Sequence, residues 1–133
     1  MFVMGIEALY RMNFEPNIEL YAEDDFEIVY EALLDKIGEI GVIKVEKKLT
    51  RYGSLTVETL FRTGTLDFIN GSNPRLYELK IKSLPTPVRF VCSLEGRTLI
   101  LLDVFFTSGS GGEVEKHLPR AGVRLAEWRM HNA

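Results

Sequence analysis

Apolar and polar positions alternate most clearly over residues 76 to 107, LYELKIKSLPTPVRFVCSLEGRTLILLDVFFT, which read as three short strands joined by two tight turns. Strand residues i and i+2 share a face. Tyr77, Leu79 and Ile81 therefore point one way, and Glu78, Lys80 and Lys82 the other. In the second strand Val88, Phe90 and Cys92 oppose Arg89, Val91 and Ser93. The face away from the apolar stripe collects Lys80, Lys82 and Arg89. It is either a surface for a polyanion or an ordinary solvated sheet face.

Upstream the period changes. IELYA at 18 to 22 suits a strand after Pro16 and Asn17, and residues 6 to 14 suit a further one. Glu23, Asp24 and Asp25 open a helix, because acids favour the positive end of the helix dipole. Phe26, Val29, Tyr30, Leu33, Leu34 and Ile37 follow at helical spacing. Gly38 and Gly41 break or kink that helix; Val42, Val45, Leu49 and Tyr52 resume the pattern, and Gly53 stops it. Ser54 to Thr63 make a short third helix, and together these segments predict a helical hairpin laid on a sheet. Residues 64 to 75 are expected to be loop, with turn chemistry at Asn70-Gly71 and Asn73-Pro74. Ser108 to Gly112 read as a second, flexible loop. Val114, Leu118, Ala121, Leu125 and Trp128 then form one face of a last helix, in which Pro119 marks either a kink or a late first turn. The order β-α-α-β-β-β-α predicts a single α+β domain over residues 1 to 133 with an antiparallel-rich sheet.

Composition narrows the class. A hydrophobic content of 46% with 26% charged residues is that of a globular protein, not a disordered one. The net charge of −3 argues against non-specific nucleic-acid binding as the main activity. Residues 1 to 66 hold 12 acids and 7 bases, and residues 67 to 133 hold 7 acids and 9 bases, so the basic character is expected in the strands and the last helix. The single cysteine, Cys92, lies in an apolar strand pattern and reads as a buried small hydrophobe. No apolar run reaches the ~20 residues of a membrane span, and MFVMGIEALYRM lacks the features of a signal peptide. The expected setting is cytoplasmic, without membrane association. The two histidines, His117 and His131, form no metal-binding cluster with the cysteine, and no P-loop, dinucleotide fingerprint or nucleophile elbow occurs, so no metal or cofactor is expected. Glu113 and Glu115 flank the glycine-rich loop as ordinary surface carboxylates.

LYELKIK, VRFV and LILLDVFF, followed by a loop and a helix carrying Val114, Leu118, Ala121 and Leu125, resemble the RelE/ParE/HigB toxin superfamily, and its phage-derived HigB-like branch most of all. The likeness covers about residues 18 to 128, with its specific core at 76 to 106. It implies a RelE-like fold and the toxin of a two-gene toxin–antitoxin module. The implied partner is an antitoxin with a helix-turn-helix part. RelE and HigB types cleave mRNA on the ribosome; ParE types inhibit DNA gyrase and cut nothing.

The nuclease reading implies a metal-independent endoribonuclease. Such cleavage needs a base for the 2′-hydroxyl, cations for the phosphate and an acid for the 5′-oxygen. The resemblance places Lys80 and Lys82 at the basic strand positions and Arg89 at the phosphate-binding arginine, with Arg75 as a further RNA contact. Two residues are candidates for the general base: Lys80, if neighbouring cations depress its pKa, and His117, which also reads as a plain surface residue of the last helix. Arg89 has a structural alternative, an ion pair with Asp103. A three-residue loop around Gly96 would put those two on one face, and a two-residue loop would separate them. The stretch Asp103 to Ser108 carries no histidine or lysine where HigB-like relatives have them, and Val114, Glu115 and Lys116 stand where some relatives place a tyrosine. A second reading follows from that: a non-catalytic binding member of the same fold, gyrase-inhibitor-like or a degenerate phage-derived protein.

Overall fold

The computed structural model describes residues 12–21, 23–72, 75–82, 84–106 and 113–132. Strand β1 (Asn17–Leu20) leads into helix α1 (Glu23–Gly53) and the short helix α2 (Val57–Arg62). Strands β2 (Leu66–Phe68), β3 (Tyr77–Ile81), β4 (Val88–Glu95) and β5 (Thr98–Phe106) follow, and helix α3 (Glu113–His131) ends the chain. The strands form one five-stranded sheet in the order β1-β5-β4-β3-β2. β1 runs parallel to β5, and the other pairings are antiparallel. The mixed α+β class expected from the pattern is the one observed.

The sheet separates two apolar layers. Leu33 and Val45 of α1 and Val57 and Leu60 of α2 pack on Leu79, Phe90 and Leu101. On the other face Ala121 and Leu125 of α3 pack on Val91, Ile100 and Leu102. Burial of each of these Leu, Ile, Val and Phe side chains is worth roughly 1.5–3 kcal/mol. The alternation read in β3 is the alternation seen: Tyr77, Leu79 and Ile81 are buried, with Glu78 and Lys80 half-buried on the opposite face.

Helix α1 is a hairpin in its own right. Gly38 sits at φ 75° and ψ 173°, outside helical space, and splits the helix into two arms. Tyr30 Oη donates to Glu46 Oε1 at 3.5 Å although the two are sixteen residues apart. A straight helix would separate them by ~24 Å, so the arms fold back on each other. Gly41 has a separate cause, since a Cβ there would lie 2.7 Å from Ile37 Cβ.

Four expectations change. The segment expected to be all loop contains β2, whose three residues are too few to show a period; Leu66 pairs with Leu79 there. The β3–β4 connection is not a tight turn: Ile81 pairs with Val88, leaving residues 82–87 between them. Pro85 and Pro87 in that stretch have no N–H to offer a ladder. Residues 12 to 14 are not strand, and the earlier part of the strand expected over 6 to 14 lies outside the described residues, as do Asn73-Pro74 and the loop Ser108 to Gly112. Pro119 is the seventh residue of α3, so it lies in the helix interior and not in a late first turn.

One irregularity positions the site. Glu95 pairs with Thr98, so the β4–β5 turn is the two-residue Gly96-Arg97, with Gly96 at φ 62°. Alternation from that turn would put Arg89 and Asp103 on opposite faces. The register slips, however: Cys92 faces Leu101 while Val91 faces Asp103. Leu102 is the extra residue of a β-bulge, and bulges re-aim the side chains next to them. Leu102 and Asp103 both turn toward α3, Leu102 into its apolar layer and Asp103 onto its polar residues.

Candidate functional site

His117, Arg120 and Arg124 stand at i, i+3 and i+7 on α3 and so share one face of the helix. All three converge on Asp103, which is fully buried. Asp103 Oδ2 lies 2.7 Å from His117 Nδ1 and 3.0 Å from Arg120 Nη2. Oδ1 accepts the Val104 amide at 2.9 Å and lies 3.4 Å from Arg124 Nη1. Arg124 is itself buried and donates to the Leu102 carbonyl at 2.7 Å. Its guanidinium lies 5.6 Å from the centre of the Tyr21 ring, and the Tyr21 hydroxyl bonds Glu127.

This is an orienting shell for an imidazole. The ring of His117 stacks on Phe105 at 5.0 Å and 20°. With Nδ1–H donated to a carboxylate, a neutral ring carries its lone pair on Nε2. The histidine side chain remains 18% exposed and Arg120 51% exposed, so a base and a guanidinium meet solvent at one edge of a buried anion.

Lys80 and Arg89 are cross-strand partners on the same face as this cluster. Arg89 is also directly opposite Phe105, the residue on which His117 stacks. Both cations have carboxylate partners there. Lys80 Nζ is 3.3 Å from Asp67 Oδ2, and Arg89 Nη1 is 2.8 Å from Glu78 Oε1. The partner of Arg89 is thus Glu78, and Asp103 belongs to α3. Lys82 and Arg75 stand apart from this group. Lys82 follows the last residue of β3 and its Nζ donates to the Thr63 carbonyl at 2.6 Å, at the C-terminal cap of α2. Arg75 lies over the Phe68 ring at 5.1 Å, beside the stacked pair Phe61 and Phe68. The structure therefore brings together Lys80, Arg89 and His117 and sends Lys82 and Arg75 elsewhere.

Arg120, Arg124 and Asp103 as one unit escaped the sequence reading. The available signal was an aspartate inside the apolar run LILLDVFF, since a buried charge is rarely left unpaired. Cys92 is fully buried, its Sγ is 3.5 Å from the Tyr77 carbonyl, and desolvation pushes its thiol pKa far up. That is the buried hydrophobe expected, not a nucleophile. A cavity of about 650 Å³ lies by β1 and α1 and is lined by none of the candidate cations; Glu15 and Glu46 are the charged residues among its described lining. A depression of about 240 Å³ beside the candidate face is lined by Asp67, Glu78 and Glu115 with no cation. Among the described residues no helix is long and apolar enough to cross a membrane. Comparisons with protein-family models, with curated proteins and with solved structures find no match.

Proposed function

We propose that this protein is a RelE/HigB-like toxin that cleaves RNA on the ribosome and is held in check by an antitoxin with a helix-turn-helix part. The strand pattern of residues 76 to 106 motivates the family, and one observation carries the chemistry: buried Asp103 holds His117 and Arg120 side by side at 2.7 and 3.0 Å. In this reading Nε2 of His117 takes the proton of a ribose 2′-hydroxyl. The 2′-oxygen attacks the adjacent phosphorus, the P–O5′ bond breaks, and the 5′-oxygen leaves with a proton from solvent. The products are a 2′,3′-cyclic phosphate and a 5′-hydroxyl. Arg120 neutralises the charge that builds on the phosphate. Lys80 and Arg89 bind the flanking backbone by exchanging Asp67 and Glu78 for phosphate oxygens.

Primer extension on cellular mRNA after induced expression tests this. The wild type gives new 5′ ends. His117→Gln reduces them by roughly 10²–10⁴-fold, the usual contribution of a general base, and Arg89→Ala weakens them. An mRNA pattern that is the same with and without the wild-type protein sinks the reading.

A second reading is favoured by a specific observation, the carboxylate partners already in place on Lys80 and Arg89. In it the same face is a neutralised binding surface of a non-catalytic member, inhibiting gyrase or engaging some other partner. Growth arrest with intact mRNA is its signature, and His117→Gln then leaves arrest unchanged.

A further inference from the structure

Five cations on the α3 side of the sheet have a described carboxylate: Asp67 holds Lys80, Glu78 holds Arg89, Asp103 holds Arg120 and Arg124, and Glu95 holds Arg129. The second arm of α1 is different. Lys44, Lys47, Lys48 and Arg51 stand at i, i+3, i+4 and i+7, which is one stripe of the helix. Lys44, Lys47 and Arg51 are exposed and Lys48 is half-buried. No described carboxylate forms an ion pair with any of the four. Glu46, the one acid between Val42 and Gly53, turns to the hydroxyl of Tyr30 instead. The opposite side of the arm is anchored by buried Val42, Val45 and Tyr52, so the stripe is held on a rigid support.

We propose that this stripe docks the protein onto the phosphodiester backbone of a folded nucleic acid. At 1.5 Å per residue the four cations span ~10 Å along the helix. That matches about three phosphate steps of one strand at ~3.4 Å each. The four cations run without interruption from Lys44 to Arg51, and the exposed apolar side chains of this arm, Ile40 and Ile43, stand only at its Lys44 end. A face read mainly by charge favours a polyanionic backbone over a lipid surface, where apolar side chains must be spread along the binding face. The net charge of −3 on the whole chain keeps the contact short and sensitive to salt. The stripe belongs to the helical layer on the far side of the sheet from α3, so the inference does not rest on the cleavage reading.

The test is fluorescence anisotropy of the full chain with labelled RNA and DNA hairpins of about 20 base pairs, a stem longer than the phosphate contact proposed, over a sodium chloride series. Lys47→Gln/Arg51→Gln is compared with the charge-matched Lys36→Gln/Lys116→Gln; glutamine keeps helix propensity, and circular dichroism confirms folding. The stripe variant is expected to lose about tenfold in affinity at low salt. Its slope of log K against log salt flattens by about 2, near 0.9 per phosphate contact removed. The control double and His117→Gln keep the wild-type slope. Which hairpin binds more tightly identifies the acid. The proposal is overturned if the wild type binds neither hairpin, or binds only vesicles containing phosphatidylserine or an acidic peptide. It is overturned equally if the two double variants weaken alike, or if the slope is lost in His117→Gln and not in the stripe variant.

Discussion

Replacing Asp103 by alanine should be among the most damaging single changes to this fold. The side chain is fully buried and carries the Val104 amide, His117, Arg120 and Arg124. Arg120 is half exposed, so water can take over its half of the interaction at a cost below ~1 kcal/mol. Arg124 is only 7% exposed and would keep a single backbone partner, the Leu102 carbonyl. An uncompensated buried charge costs ~3–5 kcal/mol, against a total stability of ~5–15 kcal/mol for a domain. At ~4 °C per kcal/mol the melting temperature should fall by ~12–20 °C. Urea unfolding followed by circular dichroism measures the first quantity and a thermal scan the second. The double variant Asp103→Leu/Arg124→Met removes both charges together and should recover most of the loss, because apolar replacement of a whole buried pair is close to neutral. An Asp103→Ala variant less than ~1 kcal/mol below wild type would refute the reasoning, since it would show that the arginine is not held by this carboxylate. A double variant no better than Asp103→Ala would refute it from the other side.

Three further outcomes follow from other parts of the fold. Gly38→Ala should destabilise by ~1–3 kcal/mol from backbone strain alone, because φ 75° disfavours any side chain although nothing lies within 4 Å of the added Cβ; an urea midpoint equal to wild type would refute the kink. The hydrogen bond from Arg129 holds the Glu95 carboxyl below its ordinary range, so its contribution is present above the unfolded value of ~4.3 and disappears as pH falls through the lower folded value. Arg129 is half exposed, which limits the effect to below ~1 kcal/mol; wild type should lose slightly more stability than Glu95→Gln between neutral pH and pH ~3, and parallel urea midpoints would count against the pair. Cys92, buried with its thiol pKa pushed up, should react with a thiol reagent only at the rate of unfolding, and fast labelling of the native protein would show the strand to be open.

The strands from Tyr77 onward were legible because their period is 2 and one face is buried, so the pattern and the burial report the same fact. The hairpin of α1 was legible for a similar reason: Gly38 interrupts a helical pattern where a turn in the chain has to come. The site was legible only in pieces. Lys80 and Arg89 could be placed on one face by alternation, but their partners could not, because Asp67 comes from a strand of three residues with no readable period. Alternation also separates Arg89 from Asp103 across a two-residue turn, and the single extra residue Leu102 reverses that outcome. A bulge is one residue of local backbone geometry and leaves no periodic trace, although it decides which way Asp103 faces. The cations of α1 were hidden by averaging: 12 acids against 7 bases over residues 1 to 66 describe a half-chain as acidic, while one stripe of one helix within it carries only positive charge.

Charge sums and alternation therefore miss the same kind of information, the local side on which a residue lies, and here both misses bear on function. The bulge turns Asp103 from a residue that spoiled the expected basic loop into the one that orients His117, and it does so without changing a single position of the pattern. If the strand ran in unbroken alternation from the turn with Leu102 still in it, Asp103 would follow Leu99 and Leu101 into the apolar layer under α1 and α2. A carboxylate cannot be buried there unpaired. With Leu102 in the strand, the bulge and the three polar residues of α3 consequently require one another.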